Sequence, residues 1–178
     1  MNLSPVKSYS ALLITGISLT LFCLLSFIPR TKPHFILNSS SSLPRGLYAR
    51  AEKQVITSGS IILFSAPTNA RSYVYGRGWL PEGWPLMKTV AGLPGDTYCI
   101  TDEQIVVNHQ SFGPVFRKDR NGRDLPTLRG CHTVEEGSVL PLTAGSPTTF
   151  DGRYFGTISR ASILAVLEPF AVVAPGGS

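Results

Sequence analysis

No two cysteines of this chain are spaced C-x-x-C, and none of the three (Cys23, Cys99, Cys131) stands near a histidine at metal-ligand spacing. That argues against a zinc site or any other metal centre. Histidine is equally scarce: His34, His109 and His132 lie in polar stretches with no G-x-S-x-G elbow beside them, which argues against a Ser-His-Asp triad. The 16 Lys and Arg exceed the 11 Asp and Glu, yet they form no run or stripe. So diffuse an excess does not point to direct nucleic-acid binding, although it suits work beside an anionic membrane surface. Long helices are also disfavoured, because 17 glycines and 14 prolines punctuate 178 residues. No internal repeat is found, and the length suits one globular domain with its own core.

Charge is missing for longest between Lys7 and Arg30, where Ala11 to Ile28 reads A-L-L-I-T-G-I-S-L-T-L-F-C-L-L-S-F-I. As a helix this run is roughly 27 Å long, close to a bilayer's hydrocarbon core. It exceeds the usual core of a secretory signal, and no A-x-A-like cleavage site follows before Pro29. The reading is a tail at 1–10, a transmembrane anchor at 11–28 and one folded domain at 29–178. Cys23 follows Phe22, where a lipoprotein signal wants a small residue, so it reads as an apolar helix residue. Lys7 precedes the run while Arg30 and Lys32 follow it, a balance that does not favour a cytoplasmic N-terminus.

Beyond the anchor, composition at Thr31 to Ser42 is polar and Ser-rich, as in a flexible tether. Short apolar runs follow. Ser60 to Phe64, Thr97 to Ile100 and Gln104 to Val107 read as strands, the last two joined by Thr101-Asp102-Glu103. Ala161 to Leu167 suits a helix or a strand equally. The domain is expected to be mainly β.

Four segments carry possible chemistry. Lys88 is the most informative, being the one charge in Pro85 to Pro94 and flanked by Leu86, Met87, Val90 and Ala91. Apolar surroundings disfavour the ammonium, and a fall of about three pKa units, roughly 4 kcal/mol, yields an amine that is neutral at working pH. Such an amine can take a proton from a serine hydroxyl. Taken alone, the same lysine could also snorkel from a strand edge. The second segment, N-S-S-S-S-L-P-R-G-L-Y from Asn38 to Tyr48, reads alone as a solvated linker, but Pro44, Gly46 and Tyr48 supply the turn and aromatic that would fix its hydroxyls. The others are F-D-G-R-Y-F-G at Phe150 to Gly156 and Y-G-R-G-W-L at Tyr75 to Leu80.

Three of these resemble a known family. K-T-V-A-G-L-P-G-D, Lys88 to Asp96, is similar to the lysine box of type I signal peptidases, K-R-V-x-G-x-P-G-D. N-S-S-S-S-L-P-R-G-L-Y resembles the nucleophile box of the family's TraF branch, N-x-S-x-S-x-P-x-G-x-Y, at Asn38, Ser40, Ser42, Pro44, Gly46 and Tyr48. F-D-G-R-Y-F-G is similar to the D-S-R-Y-F-G box, with Gly152 in place of Ser. Two residues before Asp151, where the family has a Ser, stands Thr149.

The resemblance implies a signal-peptidase-like antiparallel β catalytic domain, without cofactor or metal, lying in the periplasm behind its inner-membrane anchor. Ser42 would be the nucleophile, although the Ser-to-Pro spacing of the housekeeping enzymes would select Ser41. Lys88 would be the base and Thr149 would orient its amine. Ser40 would help the Ser42 backbone N–H stabilise the oxyanion, and Asp151 and Arg153 would form a supporting ion pair. The implied substrate is a pilin precursor of a conjugation machine, cut by water or cyclised by its own amino terminus. The alternatives are a general signal peptidase acting on exported proteins and a non-catalytic conjugation subunit. A periplasmic domain would oxidise its thiols, so a Cys99–Cys131 disulfide is expected, two unpaired apolar cysteines being the other possibility.

Overall fold

The computed structural model describes residues 14–20, 35–146 and 148–173. The chain divides into two compact units, Met1–Pro33 and His34–Ser178. In the first, residues 14–20 are helical. Among the described residues no helix is long and apolar enough to cross a membrane, and the rest of the 11–28 run lies outside them.

The second unit is mainly β, built on two sheets. The larger has seven strands in the order β1-β2-β11-β3-β4-β9-β10, and the smaller has four in the order β7-β6-β5-β8. In the large sheet run β1 (Phe35–Asn38), β2 (Gly46–Arg50), β3 (Ile61–Phe64), β4 (Leu86–Gly92), β9 (Ser138–Leu142), β10 (Ile158–Ser159) and β11 (Ile163–Val172). In the small one run β5 (Thr97–Ile100), β6 (Gln104–Val107), β7 (Gln110–Pro114) and β8 (Gly130–Thr133). Every pairing is antiparallel.

Three predicted strands are present within a residue of their expected limits. The segment at Ala161 to Leu167 resolves into a 3-10 turn, Arg160–Ser162, and the long strand β11. Its β-branched and apolar residues gain more from pairing with both β2 and β3 than from a helix. The tether expected at Thr31 to Ser42 is a difference, since Phe35–Asn38 is a strand paired with β2. Composition recorded the serines but not the partner strand. Gly46 lets the other edge of β2 pair with β11, because a Cβ there would collide with the Ala171 carbonyl oxygen. Strand β7 is new. It follows β6 through Asn108-His109, both at positive φ (44° and 67°), as a two-residue primed hairpin turn requires.

Apolar side chains fill three clusters. Ile62, Phe64, Leu86 and Val90 pack with the helix Thr68–Val74 through Ala70 and Val74. Leu140 and Leu142 of β9 pack against Tyr98, Ile100, Ile105 and Val107 of the small sheet. Tyr48, Leu63, Ala165 and Leu167 form the third.

The small sheet carries a covalent staple, because Cys99 of β5 and Cys131 of β8 stand directly opposite each other and are disulfide-bonded. The bond closes a loop across a sequence separation of 32. Losing so long a closure in a C99S/C131S variant is expected to lower unfolding free energy by about 3 to 4 kcal/mol. An unchanged urea midpoint would show that the loop is held by its strand pairing alone.

Candidate active site

Strand β4 runs between β3 and β9, and its residues alternate so that Leu86, Lys88, Val90 and Gly92 all face inward. The period of two therefore drives an amine into the protein, where Lys88 is only 4% exposed. Lys88 Nζ lies 2.7 Å from Ser42 Oγ and 2.6 Å from Thr149 Oγ1. Thr149 donates in turn to Ser42 Oγ at 3.1 Å, closing a triangle of one amine and two hydroxyls. Burial pulls the Lys88 pKa down to about 8; the Asp151 carboxylate opposes that fall and the Arg153 guanidinium adds to it.

Ser42 sits on a turn that Asn38 ties together. The Asn38 amide Nδ2 reaches the carbonyl oxygens of Ser40, Leu43 and Pro44 at 3.1 to 3.3 Å. Tyr48 donates its hydroxyl to the Pro44 carbonyl at 2.7 Å, so the serine run is held at both ends. Ser42 rather than Ser41 reaches the lysine, and the Ser41 side chain is exposed. The Ser40 hydroxyl donates to Asn38 Oδ1 at 2.7 Å, and the Ser40 backbone N–H donates to the same oxygen. Its proton is directed into the turn.

The third segment forms the floor. Asp151 caps the helix Gly152–Phe155 by accepting from the Arg153 backbone N–H. It also accepts from Thr143 N–H at 3.0 Å and from Arg153 Nε at 2.8 Å. Both side chains of the ion pair are 0% exposed. Burial pushes the Asp151 carboxyl up while the neighbouring guanidinium holds it down. Arg153 further donates to the carbonyls of Pro114, Phe112 and Thr143, so it fastens β7 to this loop. A Cβ at Gly152 would meet the Pro141 carbonyl oxygen at 2.7 Å and Leu140 Cδ1 at 2.8 Å, which explains why glycine replaces the serine of the related box. Asp96, closing the lysine box, is structural: its carboxylate accepts from Leu93 N–H and from the Asn108 side chain, each at 2.7 Å.

Composition did not reveal the role of Tyr75 to Leu80. Arg77 from that stretch lies over the rings of Tyr73 and Trp79 and pairs with Asp119 at 2.9 Å. Trp79 and Tyr73 in turn pack on Phe150, the residue after Thr149. A buttress of aromatic rings thus connects the 115–129 segment to the site. The separation of Arg77 from Asp119, 42 residues, hid this from the sequence. Among the described residues no group of His, Cys, Asp and Glu could hold a metal ion.

A neutral amine 2.7 Å from a hydroxyl can accept its proton, which makes the serine oxygen nucleophilic. The pH behaviour follows with a definite sign. The folded value of about 8 lies below the ordinary 10.5, so the unfolded chain holds more protons between them and stability rises with pH across that window. K88M lacks the group and lacks the rise. Relative to wild type its stability is expected to fall by roughly 2 to 3 kcal/mol between pH 7 and pH 10 in urea titrations. A constant gap would mean that the amine is solvated.

Comparison with known proteins shows the family. Residues 7–171 match the family described as signal peptidase, peptidase S26. The chain is 32% identical to a plasmid transfer protein TraF of Escherichia coli over 144 residues, covering 75% of this chain and 80% of the relative. It is also 32% identical to a conjugal transfer protein TraF of Agrobacterium fabrum over 145 residues, with the same coverage. The crystal structure of a signal peptidase I from Enterococcus faecalis aligns with 64% of this chain and 97% of its own, at 24% identity and a TM-score of 0.39. With a match spanning nearly the whole chain and TraF relatives over three quarters of it, this protein belongs to the S26 signal peptidase family, as a TraF-type member.

Proposed function

We propose that this chain is a membrane-anchored serine endopeptidase that processes a pilin precursor for conjugative DNA transfer. The observation that carries the reading is the Lys88 amine, buried and within hydrogen-bond reach of both Ser42 Oγ and Thr149 Oγ1. In this reading Lys88 takes the Ser42 proton as Oγ attacks the scissile carbonyl, and the resulting ammonium passes that proton to the leaving amine. Water, or the precursor's own amino terminus, then releases the acyl group. The Ser42 backbone N–H supports the oxyanion, and Ser40 joins it once its hydroxyl turns away from Asn38. Thr149 orients the amine.

The plasmid and conjugal transfer relatives favour conjugation over general export. The uncharged run at 11–28 supports an inner-membrane anchor, and the Cys99–Cys131 disulfide supports a periplasmic domain, where thiols are oxidised. The test is complementation in donor cells lacking this gene. Full-length wild type restores precursor cleavage and mating, whereas Ser42→Ala restores neither. Mating restored by Ser42→Ala would make the chain an assembly subunit instead, and cleavage of many exported proteins would make it a general signal peptidase.

A further inference from the structure

Thr143 carries a hydroxyl that nothing so far accounts for. The residue is 2% exposed, and its Oγ1 has no hydrogen-bond partner among the described residues. Buried hydroxyls are rarely left so, because the lost hydration is not replaced. The backbone of Thr143 is fully engaged, its N–H donating to Asp151 Oδ2 and its carbonyl accepting from Arg153 Nη2. Thr143 is therefore held in place without help from its own side chain.

Its position follows from the strand register. Strands β4 and β9 pair Val90 with Pro141 and Thr89 with Leu142. One further step sets Thr143, just beyond the end of β9, opposite Lys88. Paired residues of antiparallel strands point to the same face. On the other side Lys88 is paired with Ile62 of β3, which offers no acceptor. The polar and charged groups acting on the amine are Ser42 from the nucleophile turn and Thr149, Asp151 and Arg153 from the third segment; Thr143 is its cross-strand neighbour by register, and its hydroxyl bonds none of them at rest.

An ammonium has three donors. Ser42 and Thr149 take two while Ser42 is at rest. When Ser42 Oγ forms its bond to the carbonyl carbon, its proton moves to Lys88 Nζ and the carbonyl electron pair moves onto the oxyanion. The amine then bears three protons in a buried site where the serine oxygen is engaged elsewhere.

We propose that Thr143 is a positioning residue whose hydroxyl accepts a hydrogen bond from the Lys88 ammonium as it forms. This rests on the serine-lysine reading above. Thr149 and Thr143 then hold the ammonium from two sides, and its third proton remains aimed at the leaving group.

The test uses full-length protein in detergent, with p-nitrophenolate release from a p-nitrophenyl ester reporting Ser42 acylation. In T143V, which keeps the shape and removes the hydroxyl, turnover is expected to fall about tenfold. The acid limb of the rate is expected to move down by about one pH unit, because the charged amine has lost an acceptor. T143A should show the same shift, and T143S should restore the wild-type profile. Melting temperature should stay level or rise in T143V, since an unpaired buried hydroxyl is gone. A wild-type acid limb and rate in either folded hydroxyl-less variant would overturn the proposal and leave Thr143 as packing. Ester turnover that persists in Ser42→Ala would overturn the serine-lysine reading instead, so the two failures are distinguishable.

Discussion

Ser42→Ala is expected to abolish acyl transfer, lowering turnover by roughly 10⁴-fold or more, and Lys88→Met should do the same. Both losses have one cause. In the proposed mechanism Ser42 and Lys88, 2.7 Å apart, act as one unit, so removing either leaves no route for the serine proton, and the double variant should be no slower than either single one. Ser41→Ala separates position from composition. Ser41 is exposed and its carbonyl accepts from Ser146 Oγ at 3.5 Å, so activity should remain within a few-fold of wild type. Cleavage of a precursor peptide followed by mass spectrometry reads all four variants. A working Ser42→Ala enzyme with a dead Ser41→Ala enzyme would displace the nucleophile by one residue. K88M must also be shown to fold, and the apolar replacement makes that expected, because it removes a desolvated amine from beside Ile62 and Val90.

Arg153→Met is expected to be the most destabilising substitution, by about 3 to 5 kcal/mol, because it leaves Asp151 buried without its counter-ion. The guanidinium does more than pair. It bonds the carbonyls of Pro114, Phe112 and Thr143, and a methionine leaves those acceptors unsatisfied. Asp151→Leu alone should be similarly harmful, since the stranded charge is then the guanidinium. The double variant should recover part of the loss, as apolar replacements of buried ion pairs commonly do. Urea unfolding of the two single variants and the double variant measures the coupling. Losses below about 1 kcal/mol in both singles would mean that water reaches the pair and that the segment is not the floor of the site.

Much of this was legible in the chain, and the reasons differ by element. Ile61–Phe64 and Thr97–Ile100 are short apolar runs between turn residues, and such runs report strands because the signal is local. Phe35–Asn38 was hidden because a Ser-rich neighbourhood masks a four-residue strand whose partner begins at Gly46. Strand β7 was hidden because Asn108-His109 lacks the usual glycine of a two-residue hairpin. Lys88 stands out as the one charge in an apolar run, whereas Ser42 and Thr149 are nameable only through the resemblance to the signal-peptidase boxes. The Arg77–Asp119 buttress and the Thr143 hydroxyl were not legible, because each exists only through pairing between distant segments.

The sequence by itself determined the chemistry on offer: one lysine in an uncharged strand, a serine run closed by proline and glycine, and an acid-arginine box preceded by threonine. It also determined the alternation that turns Lys88 inward, because the two-residue period is a property of the strand alone. Only the tertiary structure decided that these groups meet. Ser42 lies 46 residues from Lys88 and 107 from Thr149, and nothing local in the chain encodes a separation of 2.7 Å. The register of β4 with β3 and β9, and the Asn38-tied turn, bring the groups together. Burial then does what sequence position cannot, drawing the amine toward neutrality by removing the water that would stabilise its charge.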